Sequence, residues 1–300
     1  MTKKFKIGID YGGTKIEGIL LNENGEQIER KRYSYDRNYE SGIDTIKKLV
    51  NEFDKISGES CTVGIGIPGF SSKETGLITN ANSLWLNDKP FNKDLEKKLN
   101  RTVKLMNDAN CFTLSEAVDG AGKNFNVVFG VIIGTGTGGG IVVNKKILKG
   151  KNNIGGEWGH IQLPNRSDDE KKFNKKCYCG LDGCMETYVS GPGFAYNYNL
   201  KNNSKIDSHE IIKNFKDNDK KAIIALNAYI NHLARGLAIV SNILDPDIIV
   251  LGGGMSNIDF IYRAINKEIK KYIFSDTFIT KVVKNFHGDS GGVRGAAWLG

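Results

Sequence analysis

The feature that most constrains this 300-residue sequence is a strand, glycine turn and strand pattern that occurs twice. The first copy is KFKIGIDYGGTKIEGILL, and the second is VVFGVIIGTGTGGGIVV. Apolar and β-branched residues on both sides of each turn predict two β-hairpins. Asp10 of the first copy aligns with Gly134 of the second, 124 positions later. A supersecondary unit repeated at that distance predicts two domains that each begin with the same hairpin.

Strands and helices alternate along the rest of the sequence. Apolar residues at helical spacing predict a helix over 40–57, and the run CTVGIGIPG predicts a buried strand. We further predict a strand in TVKLMND with a helix from about Asn110, a long helix over 220–244, a strand in DIIVLGGG and a helix over 259–273. This alternation predicts an α/β fold, with the domain boundary within 120–126.

Composition indicates an ordinary soluble globular protein, with 39% hydrophobic and 25% charged residues. No run of 18 apolar residues occurs, and MTKKFKIGID lacks the apolar core of a signal peptide. We therefore expect a cytoplasmic protein that does not bind a membrane. The net charge of +8 comes from dispersed lysines, which favours a solvated surface over a nucleic-acid interface.

Three cysteines lie close together in KKCYCGLDGCMET, at Cys177, Cys179 and Cys184. Thiols stay reduced in the cytosol, so this C-x-C-x4-C cluster indicates a metal site rather than a disulfide framework. Zinc is the expected metal. Cys61 and Cys111 border a predicted strand and helix and are expected to be inert core thiols.

Three glycine-rich turns each follow an apolar strand, at 12–14, 134–140 and 252–254. Glycine lets backbone N–H groups approach a phosphate closely, so the turns predict a nucleotide site. The P-loop motif is absent from the sequence. Two matches to G-x-G-x-x-G, beginning at Gly64 and Gly134, are followed by turn-like or β-branched residues instead of the helix that a dinucleotide fingerprint requires. For any single one of these turns, the alternative to a nucleotide site is a tight hairpin turn that binds no ligand.

Six motifs, in order, resemble those of the ROK family of sugar kinases and repressors: GIDYGGTK, NDAN, GTGTGGG, GEWGH, CYCGLDGCME and LGGGMSN. The resemblance covers essentially the whole chain. It implies the two-domain, actin-like (ribonuclease H-like) ATPase and hexokinase fold with an interdomain cleft, and the family's usual homodimer. The domains are then expected at 1–120, with a C-terminal helix at about 290–300 packing back onto it, and at 121–290, with a zinc-binding segment over 157–186.

Within the family, NANSLWLND, EAVDGAG and HGDSGGVRGAAWL look most similar to the bacterial fructokinase (manno(fructo)kinase) branch. The predicted activity is therefore ATP-dependent phosphorylation of D-fructose to fructose 6-phosphate, with mannose or glucose as weaker substrates. N-acetylglucosamine kinases are near relatives, and that activity is the alternative.

The resemblance assigns Asp108 of LMNDANC as the catalytic base that takes a proton from the sugar hydroxyl. From the residues alone, an aspartate between a strand and a helix is most often an N-cap. Asn107 is expected to hold a neighbouring hydroxyl. Further sugar contacts are expected from Asn82, Glu157, His160 and Glu186.

The resemblance also places ATP and Mg²⁺ at the glycine turns, where Asp10 helps to position the phosphates. The expected ATP-binding residues are Gly8, Ile9, Asp10, Tyr11, Gly12, Gly13, Thr14, Lys15, Gly134, Thr135, Gly136, Thr137, Gly138, Gly139, Gly140, Ile141, Gly253 and Gly254. His160 completes a set of four zinc ligands with Cys177, Cys179 and Cys184. Four protein ligands leave no open position, so this zinc is expected to be structural.

Two other classes of protein are less favoured than the enzyme. Repressors of the family carry a winged helix-turn-helix ahead of the first glycine motif, and here that motif begins near residue 12. An inactive sugar-binding protein would lack the aspartate that is present at Asp108. His209 and His232 are expected to be surface or core fillers, and Trp85 and Trp158 to lie either beside the sugar or in the core. The sequence suggests no role for His287.

Overall fold

The computed structural model describes residues 4–172, 175–288 and 291–300. These residues form two compact units. Unit 1 comprises Met1–Asn124, Gly140–Gly155 and Phe286–Gly300, and unit 2 comprises Phe125–Gly139 and Gly156–Asn285.

The described residues contain 12 strands and ten α-helices. The strands are β1 (Lys6–Tyr11), β2 (Lys15–Leu21), β3 (Gln27–Ser34), β4 (Thr62–Ile67), β5 (Phe70–Ser71), β6 (Ile78–Thr79), β7 (Val103–Asn107), β8 (Val127–Ile133), β9 (Thr137–Val143), β10 (Lys146–Ile147), β11 (Ile248–Gly252) and β12 (Lys281–Lys284). The helices are α1 (Tyr39–Ser57), α2 (Phe91–Leu99), α3 (Asp108–Val118), α4 (Asp168–Lys172), α5 (Glu186–Val189), α6 (Gly191–Asn202), α7 (Ser208–Lys216), α8 (Lys220–Leu244), α9 (Asp259–Glu268) and α10 (Gly291–Leu299).

Two five-stranded sheets follow the same plan. The first has the order β3-β2-β1-β4-β7 and the second β10-β9-β8-β11-β12. In the first, β1 pairs antiparallel with β2 and parallel with β4, which pairs parallel with β7. In the second, β11 pairs parallel with both β8 and β12, and β9 pairs antiparallel with β10. The predicted α/β class and the repeated hairpin unit are confirmed.

Helix boundaries follow local capping. α1 begins after Asn38, whose side chain accepts a hydrogen bond from the Ser41 N–H at 2.8 Å. It ends at Gly58, whose φ of 72° is the left-handed conformation that glycine adopts without a Cβ penalty. The predicted helix over 259–273 is α-helical to Glu268 and continues as a 3₁₀ turn over Ile269–Tyr272, a common ending for an α-helix.

α8 is the one described helix that is long and apolar enough to cross a membrane, with a mean hydropathy of 1.4 over 18 residues. More than half of that window is buried inside the protein. α8 also packs against α9 and α7 of the same unit. It is therefore a core helix of unit 2.

α10 packs against β1 and β4 in unit 1 because glycines in both strands let its backbone come close. A Cβ at Gly8 would meet the carbonyl of Val293, and one at Gly64 would meet the carbonyl of Ala296. Gly8 therefore has a packing role at the centre of a strand.

The segment before α10 is held by two carboxylates at the end of α3. Glu116 is fully buried and accepts hydrogen bonds from the N–H groups of Phe286 and His287. Asp119 pairs with His287 at 2.8 Å and with Arg294. His287, for which the sequence suggested no role, thus fastens the C-terminal segment to unit 1.

Candidate functional site

The expected catalytic base lies where β7 turns into α3. Asn107 has extended backbone and its Oδ1 accepts a hydrogen bond from the Asn110 N–H at 2.9 Å, which makes it the N-cap. Asp108 is the first helical residue, and its Oδ1 accepts from the Ala109 N–H at 2.7 Å. The capping role therefore belongs to Asn107. The Asp108 side chain remains accessible to solvent.

Two carboxylates in unit 1 have raised pKa values. Burial, together with the negative charges of Asp108 and Glu17, raises the pKa of Asp10 to about 7, although the positive charge of Arg32 acts in the opposite direction. The Asp108 side chain is accessible to solvent, but the surrounding protein removes part of its hydration and raises its pKa above the usual value of 3.8. Carboxylate oxygens are the ligands that Mg²⁺ prefers, so the Asp10 carboxylate is of the right kind to hold a divalent cation.

The first glycine turn is exposed to solvent at Gly13, Thr14 and Lys15. Hydrogen bonds to both sides of Gly12 fix the turn: the Gly12 N–H donates to the Lys15 carbonyl at 3.1 Å, and the Tyr35 hydroxyl donates to the Gly12 carbonyl at 2.9 Å. Of the neighbouring residues expected to bind ATP, Ile9 and Tyr11 are core side chains with at most 1% exposure. Their side chains belong to the core of unit 1, on which the turn rests.

The second glycine turn is tied to two helices of unit 2. The Gly134 carbonyl accepts a hydrogen bond from the N–H of Gly191, the first residue of α6, at 2.8 Å. The Thr137 N–H donates to Glu186 Oε2, at the start of α5, at 2.9 Å. Glu186, expected at the sugar, therefore directly contacts a turn expected at the phosphates.

The third glycine turn requires glycine at Gly253 for two reasons. Its φ is +83°, and a Cβ would meet the backbone of Ile133 in β8 at 2.7 Å. The turn thus lies close to the end of β8, where the second glycine turn begins.

A cavity of about 840 Å³ opens beside these two turns, within the usual size range of small-molecule sites. Gly134, Thr135 and Gly254 lie on its wall, as predicted for a nucleotide. Sequence reasoning missed the rest of the lining, which includes Pro192, His209, Ile212, Lys213, Lys216 and Met255. These side chains come from α6, α7 and the turn after β11. Only tertiary packing brings them to the glycines, so no local motif could reveal them.

The four expected zinc ligands lie together in unit 2. One ligand atom from each of His160, Cys177, Cys179 and Cys184 lies within 4.8 Å of the others. The Cys179 and Cys184 Sγ atoms are 3.6 Å apart, as are Cys177 Sγ and His160 Nδ1. A disulfide needs about 2.05 Å, whereas the edge of a tetrahedron with Zn–S bonds of about 2.3 Å is about 3.8 Å. The donor set and its spacing fit tetrahedral zinc.

Backbone pairing also joins the two halves of this cluster. Gln162 forms a β-bridge with Cys184, and the Met185 N–H donates to the Ile161 carbonyl at 2.8 Å. The segment after His160 is thereby paired with the segment that leads from Cys184 to Glu186. Glu157 begins the 3₁₀ turn Trp158–His160 on the other side of the histidine.

A buried ionic network anchors the segment between His160 and Cys177. Glu170 pairs with Arg235 and with His232, the latter at 2.8 Å, and Arg235 also donates to the carbonyls of Pro164 and Asn165 at 2.9 Å. Burial alone would raise the pKa of Glu170, but the hydrogen bonds and charges of these partners have a larger effect and lower the pKa to about 2. His232 is therefore part of an anchor for α4.

The two tryptophans left open by the sequence are structural. Trp158 is 3% exposed and donates to the Gly138 carbonyl at 2.8 Å. Trp85 donates to the Tyr11 hydroxyl at 3.0 Å. Asn82, the remaining sugar residue expected in unit 1, has an exposed side chain.

Comparisons with known proteins agree with the motifs. The sequence model of the ROK family matches residues 6–300. The chain is 41% identical over 296 residues to the N-acetyl-D-glucosamine kinase of Vibrio cholerae, covering 97% of this chain and 98% of that protein. It is 38% identical to the same enzyme of Haemophilus influenzae, with 97% and 98% covered. The crystal structure of the ROK hexokinase from Thermus thermophilus superposes with a TM-score of 0.87 at 26% identity, covering 98% of this chain and 96% of that one.

These relatives overturn one prediction. The expected likeness to the fructokinase branch, and with it the activity on D-fructose, is wrong, because the full-length relatives at about 40% identity are N-acetyl-D-glucosamine kinases. The actin-like fold and the kinase class are confirmed. The chain belongs to the ROK family and is one of its sugar kinases.

Proposed function

We propose that this protein is an ATP-dependent N-acetyl-D-glucosamine kinase. The observation that carries the proposal is the identity of 41% to such an enzyme across 97% of the chain. The C6 hydroxyl is expected to accept the phosphoryl group. It is the primary hydroxyl of the sugar and therefore its least hindered nucleophile.

Asp108 is proposed to act as the general base. As the sugar oxygen approaches the γ-phosphorus, its proton passes to the Asp108 carboxylate. The raised pKa makes this carboxylate a stronger base than an ordinary aspartate. Asn107, held as the cap of α3, keeps its amide N–H₂ group for a neighbouring hydroxyl.

Sugar selection is assigned to polar side chains that pair with hydroxyl groups, since an unpaired buried group is what rejects the wrong sugar. We propose that Asn82, Glu157, His160 and Glu186 fill this role. The bond from the Thr137 N–H supports it for Glu186, because it fixes the direction of the carboxylate.

ATP is proposed to bind at the glycine turns and in the cavity of unit 2. Pro192, Ile212 and Met255 offer apolar surface to a base, while Lys213 and Lys216 offer positive charge. Backbone N–H groups of glycine turns suit phosphate oxygens. We assign Mg²⁺ to Asp10, and the bound ion would neutralise phosphate charge.

We further propose that the cluster of His160 and the three cysteines binds structural zinc. His160 Nδ1 faces Cys177, whereas Nε2 lies 3.1 Å from the Tyr178 hydroxyl, so a sugar contact at Nε2 would replace that hydrogen bond. The expected homodimer and cytoplasmic location stay predictions, and light scattering on the purified protein tests the first.

The test is an ADP-release assay with Mg-ATP against N-acetylglucosamine, fructose, mannose and glucose. The highest kcat/KM is expected for N-acetylglucosamine. A higher value for any other sugar would contradict the proposal.

A further inference from the structure

A smaller cavity, of about 130 Å³, lies in unit 2 between α5, α6 and α8. Its described lining shares no residue with that of the 840 Å³ cavity to which ATP is assigned. α6 separates the two cavities. Pro192 and Ala195 face the larger cavity, and Phe194 and Tyr198 face the smaller one. The smaller cavity is therefore a distinct site on the opposite side of a helix that lines the proposed ATP site.

The wall of the smaller cavity is largely aromatic. Phe194 and Tyr229 pack edge to face, with ring centroids 5.2 Å apart. The hydroxyl of Tyr188 donates to the Glu170 carbonyl at 2.8 Å, and that of Tyr229 donates to the Val189 carbonyl at 2.9 Å. These tyrosines therefore offer the cavity their rings, because their hydroxyl protons are already used. An apolar cavity of about 150 Å³ is large enough to bind benzene, so this one can hold a single aromatic ring.

A buried histidine supplies a hydrogen-bond acceptor. His232 lines the cavity and is 8% exposed, and its Nε2 lies 2.8 Å from Glu170 Oε1. The Glu170 carboxylate, with its pKa of about 2, can only accept, so Nε2 carries the proton. Burial lowers the pKa of His232, so Nδ1 keeps its lone pair at neutral pH. Nδ1 has no hydrogen-bond partner among the described residues, and it is not among the unpaired atoms that are sealed from solvent.

Two lysines supply positive charge at the mouth of the cavity. Lys201 of α6 and Lys221 of α8 are exposed, line the cavity and form no ion pair with a described residue. The charge of Lys201 acts on His232, so the mouth lies close to the floor. No carboxylate belongs to the described lining, and the nearby Asp219 is engaged as the N-cap of α8. An anionic group is therefore expected at the mouth.

A hydroxylated aromatic acid matches all three features, because it carries an O–H group, a flat ring and a carboxylate. We propose that this cavity binds a small phenolic carboxylate and that its occupancy is coupled to the second glycine turn. The hydroxyl donates to His232 Nδ1, the ring packs against Phe194 and Tyr198, and the carboxylate lies at Lys201 and Lys221.

The coupling runs through the first residues of α5 and α6. Glu186 Oε2 accepts from the Thr137 N–H at 2.9 Å, and the Gly191 N–H donates to the Gly134 carbonyl at 2.8 Å. Both helices also line the smaller cavity, so a ligand that packs against them restricts the helices that hold the turn. This part rests on the proposed function, since it takes the turn to bind ATP. A bound ligand is expected to lower the KM for ATP about two- to fivefold.

The test is a calorimetric titration of 4-hydroxybenzoate into the full chain without sugar or ATP, so the binding measurement does not depend on the proposed function. Saturable binding is expected with a Kd below about 1 mM. Benzoate lacks the hydroxyl and phenol lacks the carboxylate, so each is expected to bind about tenfold more weakly.

Three variants assign the contacts. His232→Gln places an amide N–H₂ group near the position of Nε2 for Glu170 and removes the Nδ1 acceptor, so it should weaken 4-hydroxybenzoate about tenfold and leave benzoate unchanged. Lys201→Gln combined with Lys221→Gln should weaken both acids about three- to tenfold and leave phenol unchanged. Lys220→Gln is the matched control, because Lys220 is an exposed α8 lysine that does not line the cavity. Melting temperatures report whether each variant is folded.

The absence of saturable binding, or equal affinities for 4-hydroxybenzoate and benzoate, would overturn the site. An equal loss for both acids in folded His232→Gln would do the same. Ala228→Phe fills the cavity. If it turns a dimer into monomers in light scattering and the wild type does not bind the probe, the cavity belongs to an interface between copies instead.

The coupling has its own contradicting outcome, which is an unchanged KM for ATP at saturating 4-hydroxybenzoate. A wild type that binds the probe but phosphorylates no sugar would contradict the proposed function and leave the binding site in place.

Discussion

The buried Glu170 carboxylate is predicted to stabilise the folded protein strongly at neutral pH. Its side chain is 15% exposed, and Arg235 beside it is 7% exposed. The folded-state pKa of about 2 lies below the ordinary 4.5, so the folded protein favours the ionised form. The difference of about 2.5 pKa units corresponds to about 3 kcal/mol of unfolding free energy.

The direction of the pKa shift determines the pH range in which Glu170 stabilises the protein. Because the folded pKa is depressed, this stabilisation is fully present above about pH 4.5 and is lost as the pH falls towards 2. Glu170→Gln removes the charge and leaves Arg235 buried without it, a change that typically costs about 3–5 kcal/mol. The bonds from Arg235 to Pro164 and Asn165 persist, so the lower end of that range is expected.

Urea denaturation at pH 7 measures the loss, and the double variant Glu170→Gln with Arg235→Met measures the coupling between the two residues. The double variant is expected to lose clearly less than the sum of the two single losses. Lys171→Ala is the surface control, because Lys171 and its partner Asp168 are exposed. A loss below about 1 kcal/mol for Glu170→Gln, or strictly additive losses, would refute this reasoning.

Three further outcomes are expected. Gly136→Ala places a Cβ 2.9 Å from Glu186 Oε2, so KM for the sugar should rise by about tenfold; steady-state kinetics decides, and an unchanged sugar KM contradicts the assignment of Glu186. Metal analysis should find one zinc per chain. The variant Cys184→Ser is expected to lose both the zinc and thermal stability, whereas the control variant Cys61→Ala is expected to keep the zinc. Retention of zinc by Cys184→Ser would exclude the four-ligand site. In a pH profile, kcat/KM should fall at acidic pH as Asp108 becomes protonated, with an apparent pKa above the ordinary 3.8. A value of kcat/KM that is constant from pH 4 to 8 argues against Asp108 as the base.

Local sequence signals were enough for much of the fold. The two hairpins could be predicted because each glycine turn lies between apolar strands within about 20 residues. α8 was predicted with its observed limits, since Asp219 caps its start and an apolar face runs along its length. The zinc cluster followed from cysteine spacing, and the structure brings the four donors together.

What the sequence could not supply depends on distant partners. His287 meets Asp119 across 168 residues, and His232 meets Glu170 across 62, so neither role shows in a local pattern. His209 reaches the cavity beside Gly134 only through the packing of α7. The wrong choice of sugar has the same origin, because the family motifs fix the chemistry of phosphoryl transfer while pocket shape selects the acceptor.

The most direct test of the account is the rate of N-acetylglucosamine phosphorylation by Asp108→Asn at saturating ATP and sugar. Because Asn107 caps α3, the variant is expected to fold and to bind the sugar, while kcat falls about 10²- to 10⁴-fold with loss of the base. A folded variant with a kcat near that of the wild type would contradict the assignment of Asp108 as the base.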